Sequence, residues 1–169
     1  MNGAQLLGDG FGRVRDELRA TVEGLTTEQL VYRPTPEANS IGWLVWHLTR
    51  IQDDHVADVA GTEQVWTAAG WSDEFGLPFD VSATGFRHSS ADVAAVRVRP
   101  EQLLGYYDAV HDRTVEFLSG LTDDDFDRIV DPSWDPPVSL GVRLVSVLTD
   151  DLEHLGQAAY VRGMLPVAT

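Results

Sequence analysis

Apolar residues recur at the helical period in four stretches of the chain, with polar residues filling the positions between them. In the first stretch, Ala4 to Leu25, the stripe is Leu7, Phe11, Val14, Leu18 and Val22, and Gly8, Gly10 and Gly12 weaken the opening turns. The second runs from Asn39 or Ser40, either of which is a natural N-cap, through NSIGWLVWHLTRIQDDHVADV to Val59. Its spacing puts Trp43, His47, Arg50, Ile51 and Asp54 on one face. The third, Pro100 to Leu121, opens on a proline suited to the first helical turn and a glutamate that complements the helix dipole. Its predicted inward stripe is Leu104, Tyr107, His111, Val115 and Leu118. The fourth, Val138 to Leu165, has Ser139 as a cap and an expected inward stripe of Val147, Asp150, His154, Gln157 and Val161. Four such segments, with no internal repeat, predict an all-α four-helix bundle built as one domain over residues 1–169.

The connections carry their own pattern. Gly61 to Val98 is long and irregular, yet it holds Trp66, Trp71, Phe75, Phe79, Phe86 and His88, an aromatic content that argues against disorder. It is expected to lie over one end of the bundle and wall a pocket, with Asp92 to Val98 either a short helix or an extended piece. Thr122 to Pro137 is an acidic loop, ordered by its prolines and Trp134.

Within this frame two helices carry chemistry. Asp150 and His154 are four residues apart, so they sit one above the other on one helix face. A carboxylate and an imidazole turned toward a core need partners. A metal ion is one such partner, and His47 joins the pair if the second and fourth helices pack together. Two imidazoles and a carboxylate leave coordination positions open. Asp151, at a spacing of three from His154, is a rival ligand. The alternative is a pair of core histidines held by hydrogen bonds. Tyr107 and His111 fill the core or line the cavity as proton donor or substrate contact. Arg50 and Arg162 hold an anionic group or pair with the chain's own carboxylates. Trp43 and Trp46 pack in the core or border the pocket, and Gln157 continues the Asp150–His154 stripe.

Composition narrows the choices. No cysteine is present, which excludes disulfides, a thiolate metal site and a protein thiol nucleophile, so any thiol must come from outside. The net charge of −15 argues against nucleic acid. No run is long enough to span a membrane and the start lacks a secretory pattern, so a cytoplasmic protein is expected. All twelve basic residues are arginine, which suggests a GC-rich source.

Two passages, WLVWHLTRIQDDH and LTDDLEHLGQAAYVRGML, together with helix order and length, resemble the DinB/YfiT-like superfamily, which includes metal-dependent mycothiol and bacillithiol S-transferases. The resemblance covers nearly the whole chain. It implies a bundle with an up-down-down-up course, often a homodimer. It also implies one metal-binding histidine in the second helix and two, four apart, in the fourth. His47 and His154 match those positions, and Asp150 stands where the remaining histidine would be, as in some branches of the superfamily. The implied metal is zinc or nickel, with iron also suited to the donors. The implied chemistry is activation of a small thiol for attack on an electrophile, and the arginine-only composition favours mycothiol. The rival expectations are a metal-dependent hydrolase or isomerase using bound water, and a non-catalytic metal-binding or interaction bundle.

Overall fold

Four long helices form close to where the periodicity places them, in a computed structural model that describes residues 1–166 of the chain. The elements in order are α1 (Gly3–Val22), α2 (Thr27–Leu30), α3 (Ile41–Ala60), α4 (Val65–Ala68), α5 (Trp71–Phe75), α6 (Ser90–Ala95), α7 (Pro100–Ser119), a 3-10 turn (Asp123–Asp127), β1 (Ile129–Asp131), β2 (Val138–Ser139) and α8 (Leu140–Gly163). The long helices begin at residues chosen for capping. The Asn2 side chain accepts from Gln5 N at the head of α1, Ser40 from Trp43 N at α3, and Ser139 from Val142 N at α8. Helix α7 starts on Pro100, as predicted. The glycines near the start of α1 do not break it. Gly10 instead lets α8 approach, since a Cβ there would lie 2.8 Å from Leu148 Cδ2.

The bundle is four-sided: α1 packs against α7 and α8, and α3 packs against the same two helices. Directions follow from which ends meet. Leu7, early in α1, shares a core cluster with Leu118, late in α7, so these helices are antiparallel. Arg162, late in α8, donates to the carbonyls of Ala20 and Thr21, late in α1, so these run parallel. His47, early in α3, faces His154, late in α8, while His55, later in α3, meets Arg143, early in α8. The course is therefore up-down-down-up. That course explains the irregular segment. Helices α3 and α7 are parallel neighbours, so the chain must return along a 20-residue helix, roughly 30 Å, between them. The segment from Gly61 to Arg99 is that return. It carries α4, α5 and α6, and the Asp92–Val98 piece resolves into the end of a helix followed by extended chain.

Two expectations change. The interior face of α7 runs through Leu103, Tyr106, Tyr107, Val110, His111, Thr114 and Leu118, whereas Leu104 is half-buried and Val115 is exposed. The predicted stripe was partly one residue out of register, because residues at i+3 and i+4 both approximate a 3.6-residue period. The acidic loop also has more structure than expected. Thr122 and Asp125 cap the 3-10 turn, β1 and β2 pair antiparallel, and Asp123 accepts from Gly3 N at the start of α1.

Candidate metal centre

Helix α3 is buried around most of its circumference, which carries a histidine into the protein. His47 is 6% exposed, and its ring is fixed on two sides. Its Nδ1 lies 2.6 Å from the carbonyl oxygen of Thr84. A carbonyl only accepts, so the proton is on Nδ1 and the Nε2 lone pair is free. Trp43, one turn earlier, stacks on the imidazole with ring centroids 4.7 Å apart and planes 16° from parallel. Gly85, at φ +97°, closes the back of the ring: a Cβ there would lie 2.7 Å from His47 Nδ1.

Across the seam, α8 presents Asp150 and His154. His154 Nε2 is 3.6 Å from Asp150 Oδ1, and His154 Nδ1 donates to Gln157 Oε1 at 3.2 Å. This second imidazole therefore also keeps its Nε2 lone pair free. The two histidine rings meet edge-on with centroids 4.8 Å apart. One donor atom from each of His47, Asp150 and His154 lies within 4.8 Å of the other two. Two ligands each roughly 2.1 Å from one ion are at most about 4.2 Å apart, so small side-chain adjustments complete the set.

The electrostatics suit a cation. Burial holds the His47 imidazole below the ordinary histidine value, the Thr84 carbonyl bond opposes this, His154 adds to it, and Asp150 opposes it. The neutral form that ligates a metal is thereby favoured. Asp150 Oδ2 is buried and has no hydrogen-bond partner among the described residues, an expensive arrangement for a carboxylate unless something positive fills the gap. These residues fit a divalent ion: two nitrogen donors of defined tautomer and one carboxylate, with three protein ligands leaving room for an exogenous one.

The other residues marked in the sequence fall in different places. Trp43 walls the cluster. Gln157 is exposed and orients His154; it is not on the interior face. The buried line of α8 runs instead through Leu144, Val147, Asp151, Leu155, Ala158 and Val161, so Asp150 and His154 occupy its shoulder. Asp151, the rival ligand, is fully buried and stands apart from the cluster. Burial pushes its carboxyl well above the ordinary range, with Asp150 adding to the effect. Arg50 is fully buried and bonded to Ala83 O, Gln64 and Tyr106 on the α7 side. Arg162 caps the carbonyl end of α1. Tyr107 and His111 lie in the bundle interior, with Tyr107 Oη and His111 Nε2 unpartnered among the described residues. Sequence reading missed Thr84, Gly85 and the placement of His88. A backbone carbonyl leaves no trace in residue identity, and the Gly85–His88 spacing gains meaning only when the return segment lies on α3.

Comparison with known proteins agrees with this architecture. A crystal structure of a conserved protein from Enterococcus faecalis superposes with a TM-score of 0.90 at 28% sequence identity, covering 96% of each chain. No curated protein matches the chain. The DinB superfamily matches residues 11–158, most of the bundle and all three residues of the cluster, and the chain belongs to that superfamily.

Proposed function

We propose that this protein is a metal-dependent S-transferase-like enzyme in which His47, Asp150 and His154 hold a divalent ion and a low-molecular-weight thiol, mycothiol in the favoured case, is activated for attack on a small electrophile. The observation that carries the reading is the convergence of two free Nε2 lone pairs with a buried, unpartnered carboxylate oxygen. Zinc or nickel suits that donor set best, and iron is also compatible. The ion, when bound, supplies a Lewis acid that lowers a thiol's pKa. The chain's own residues do the rest. Thr84 and Gln157 hold the two imidazoles in the ligating tautomer, and Trp43 walls the space beside the donors. The absence of cysteine is consistent with a thiol brought from outside.

The same reading takes the chain as a single cytoplasmic domain that pairs with a second copy. Among the described residues no helix is long and apolar enough to cross a membrane. Val142, Val145 and Leu152 on α8 and Leu6 on α1 are more than half exposed, which supports a homodimer formed along these helices.

The test is elemental analysis of untagged protein purified without added metal, followed by consumption of a halogenated aromatic electrophile with and without mycothiol. Bound zinc, nickel or iron with metal- and thiol-dependent turnover is expected. Bound metal without thiol dependence would shift the reading to a hydrolase or isomerase, and a protein that binds no divalent ion would shift it to a non-catalytic bundle.

A further inference from the structure

Among the described residues His88 makes no hydrogen bond to His47, Asp150 or His154, yet its position is tied to His47 by an unbroken series of contacts. Trp43 Nε1 lies 3.2 Å from His88 Nδ1. An indole N–H only donates, so His88 Nδ1 accepts and its proton resides on Nε2. The same indole stacks on His47, and its edge faces His154 at a centroid distance of 6.4 Å. The His88 ring is itself fixed, stacked on Trp46 at 5.7 Å and packed against Phe79 at 4.5 Å. Its backbone closes a turn, donating from His88 N to Gly85 O at 3.0 Å, and Gly85 is the residue pressed against His47.

The stack fixes the plane of the indole but not its orientation within that plane, and the buried surroundings of Trp43 only limit that in-plane freedom. A hydrogen bond at Nε1 removes that freedom. The plane of Trp43 limits the tilt of His47, and the tilt of His47 sets where its Nε2 lone pair points. We propose that His88 is a positioning residue of the metal centre, acting through the Trp43 indole to hold the His47 imidazole in its ligating orientation. This inference rests on the metal-binding reading of the site.

Cobalt(II) titration of the full chain tests it, read by affinity and by the visible d–d spectrum, which reports ligand geometry. His88→Phe keeps the ring contacts to Trp46 and Phe79 but cannot accept from Trp43. It should weaken cobalt binding by about 10- to 100-fold, the usual loss for an outer-shell partner, and alter the spectrum. Trp43→Phe, which retains an aromatic face but not the N–H, should give a loss of the same kind. The double variant should lose little more than either single one, because both changes remove one interaction. His88→Gln, which supplies an acceptor, should recover part of the affinity. Wild-type affinity and spectrum in His88→Phe, or losses that add in the double variant, would overturn the positioning role while leaving the metal site standing. Failure of the wild-type protein to bind cobalt would overturn both.

Discussion

Helix α3 carries charged and polar residues into the protein along two seams, and the two seams treat them differently. Toward α7, Asp53 accepts from Val65 N, Trp66 N and Tyr106 Oη, all at 2.8 Å, and lies 3.8 Å from Arg50. Arg50 in turn donates to Ala83 O and Gln64 and sits over the Trp66 ring at 5.0 Å. Almost every donor and acceptor in this network is used, and all the partners belong to the chain. Toward α8, His47 and His154 each spend Nδ1 on a chain partner and keep Nε2 free, while Asp150 leaves an oxygen buried and unpartnered. Burial is common to both seams. What separates them is convergence: the Asp53–Arg50 network leaves only Arg50 Nη2 unpartnered among the described residues and anchors the return segment, whereas the free Nε2 atoms and the open Asp150 oxygen of the α8 seam converge on one point.

This contrast predicts different consequences for similar substitutions. The largest effect should come from Asp53→Ala. It leaves Arg50 buried without its counter-charge and strips acceptors from two backbone amides, so unfolding free energy in urea should fall by about 3–5 kcal/mol. His154→Ala should do the reverse. Metal affinity should drop by more than the roughly 100-fold typical of lost outer-shell partners, while the apo protein unfolds at nearly the wild-type urea concentration. A His154→Ala protein that retains full metal occupancy would remove the distinction between the seams. Asp150→His should retain metal, since it substitutes one donor for another at the same helix position.

Smaller effects sharpen the picture. Arg87 adopts φ 62° without being glycine, in the turn that carries His88. Arg87→Gly relieves that conformation, and the gain should be up to about 1 kcal/mol, offset by the greater freedom of glycine in the unfolded chain. If this turn serves the α8 seam, the metal affinity of Arg87→Gly should fall even where its stability rises. The smallest effect concerns His55. Burial lowers its pKa, with Arg143 adding to the effect and Asp54, Asp58 and Asp150 opposing it. An imidazole depressed in the folded state binds its proton more readily when unfolded, so its contribution to stability is lost as pH falls through about 6.5 toward the folded value. Between pH 7.5 and 5.5, wild-type apo protein should therefore lose more stability than His55→Gln. Equal slopes would mean that burial, with Arg143 beside it, does not depress the His55 pKa in the folded protein.

Much of this was legible in the amino-acid sequence, for reasons that differ by region. The long helices announce themselves because apolar period, capping serine and first-turn proline coincide at Ser40, Pro100 and Ser139. The cluster was legible because Asp150 and His154 share one helix and His47 interrupts an apolar one. The register of α8 was not. The stripes through Asp150–His154 and through Asp151–Leu155 share Val147 and Val161, so periodicity alone favours neither. The structure places Leu155 inside and His154 at the shoulder, where an imidazole is both held and reachable. The contacts of the return segment were likewise invisible. They depend on which stretch of an irregular chain lies against Trp43 and His47, and no local rule encodes that.

The up-down-down-up course also has a temporal consequence. The cluster joins His47 to Asp150 and His154, so it cannot exist until nearly the whole bundle has been synthesised. At roughly 5–20 residues per second, about 5–20 s separate the appearance of His47 from that of His154 on the ribosome. During that interval the nascent chain offers a passing cation only isolated imidazoles and scattered carboxylates. Any selection of an ion by this cluster would thereby be deferred to a finished scaffold, whose fixed donors, and not the order of arrival, would decide what is retained.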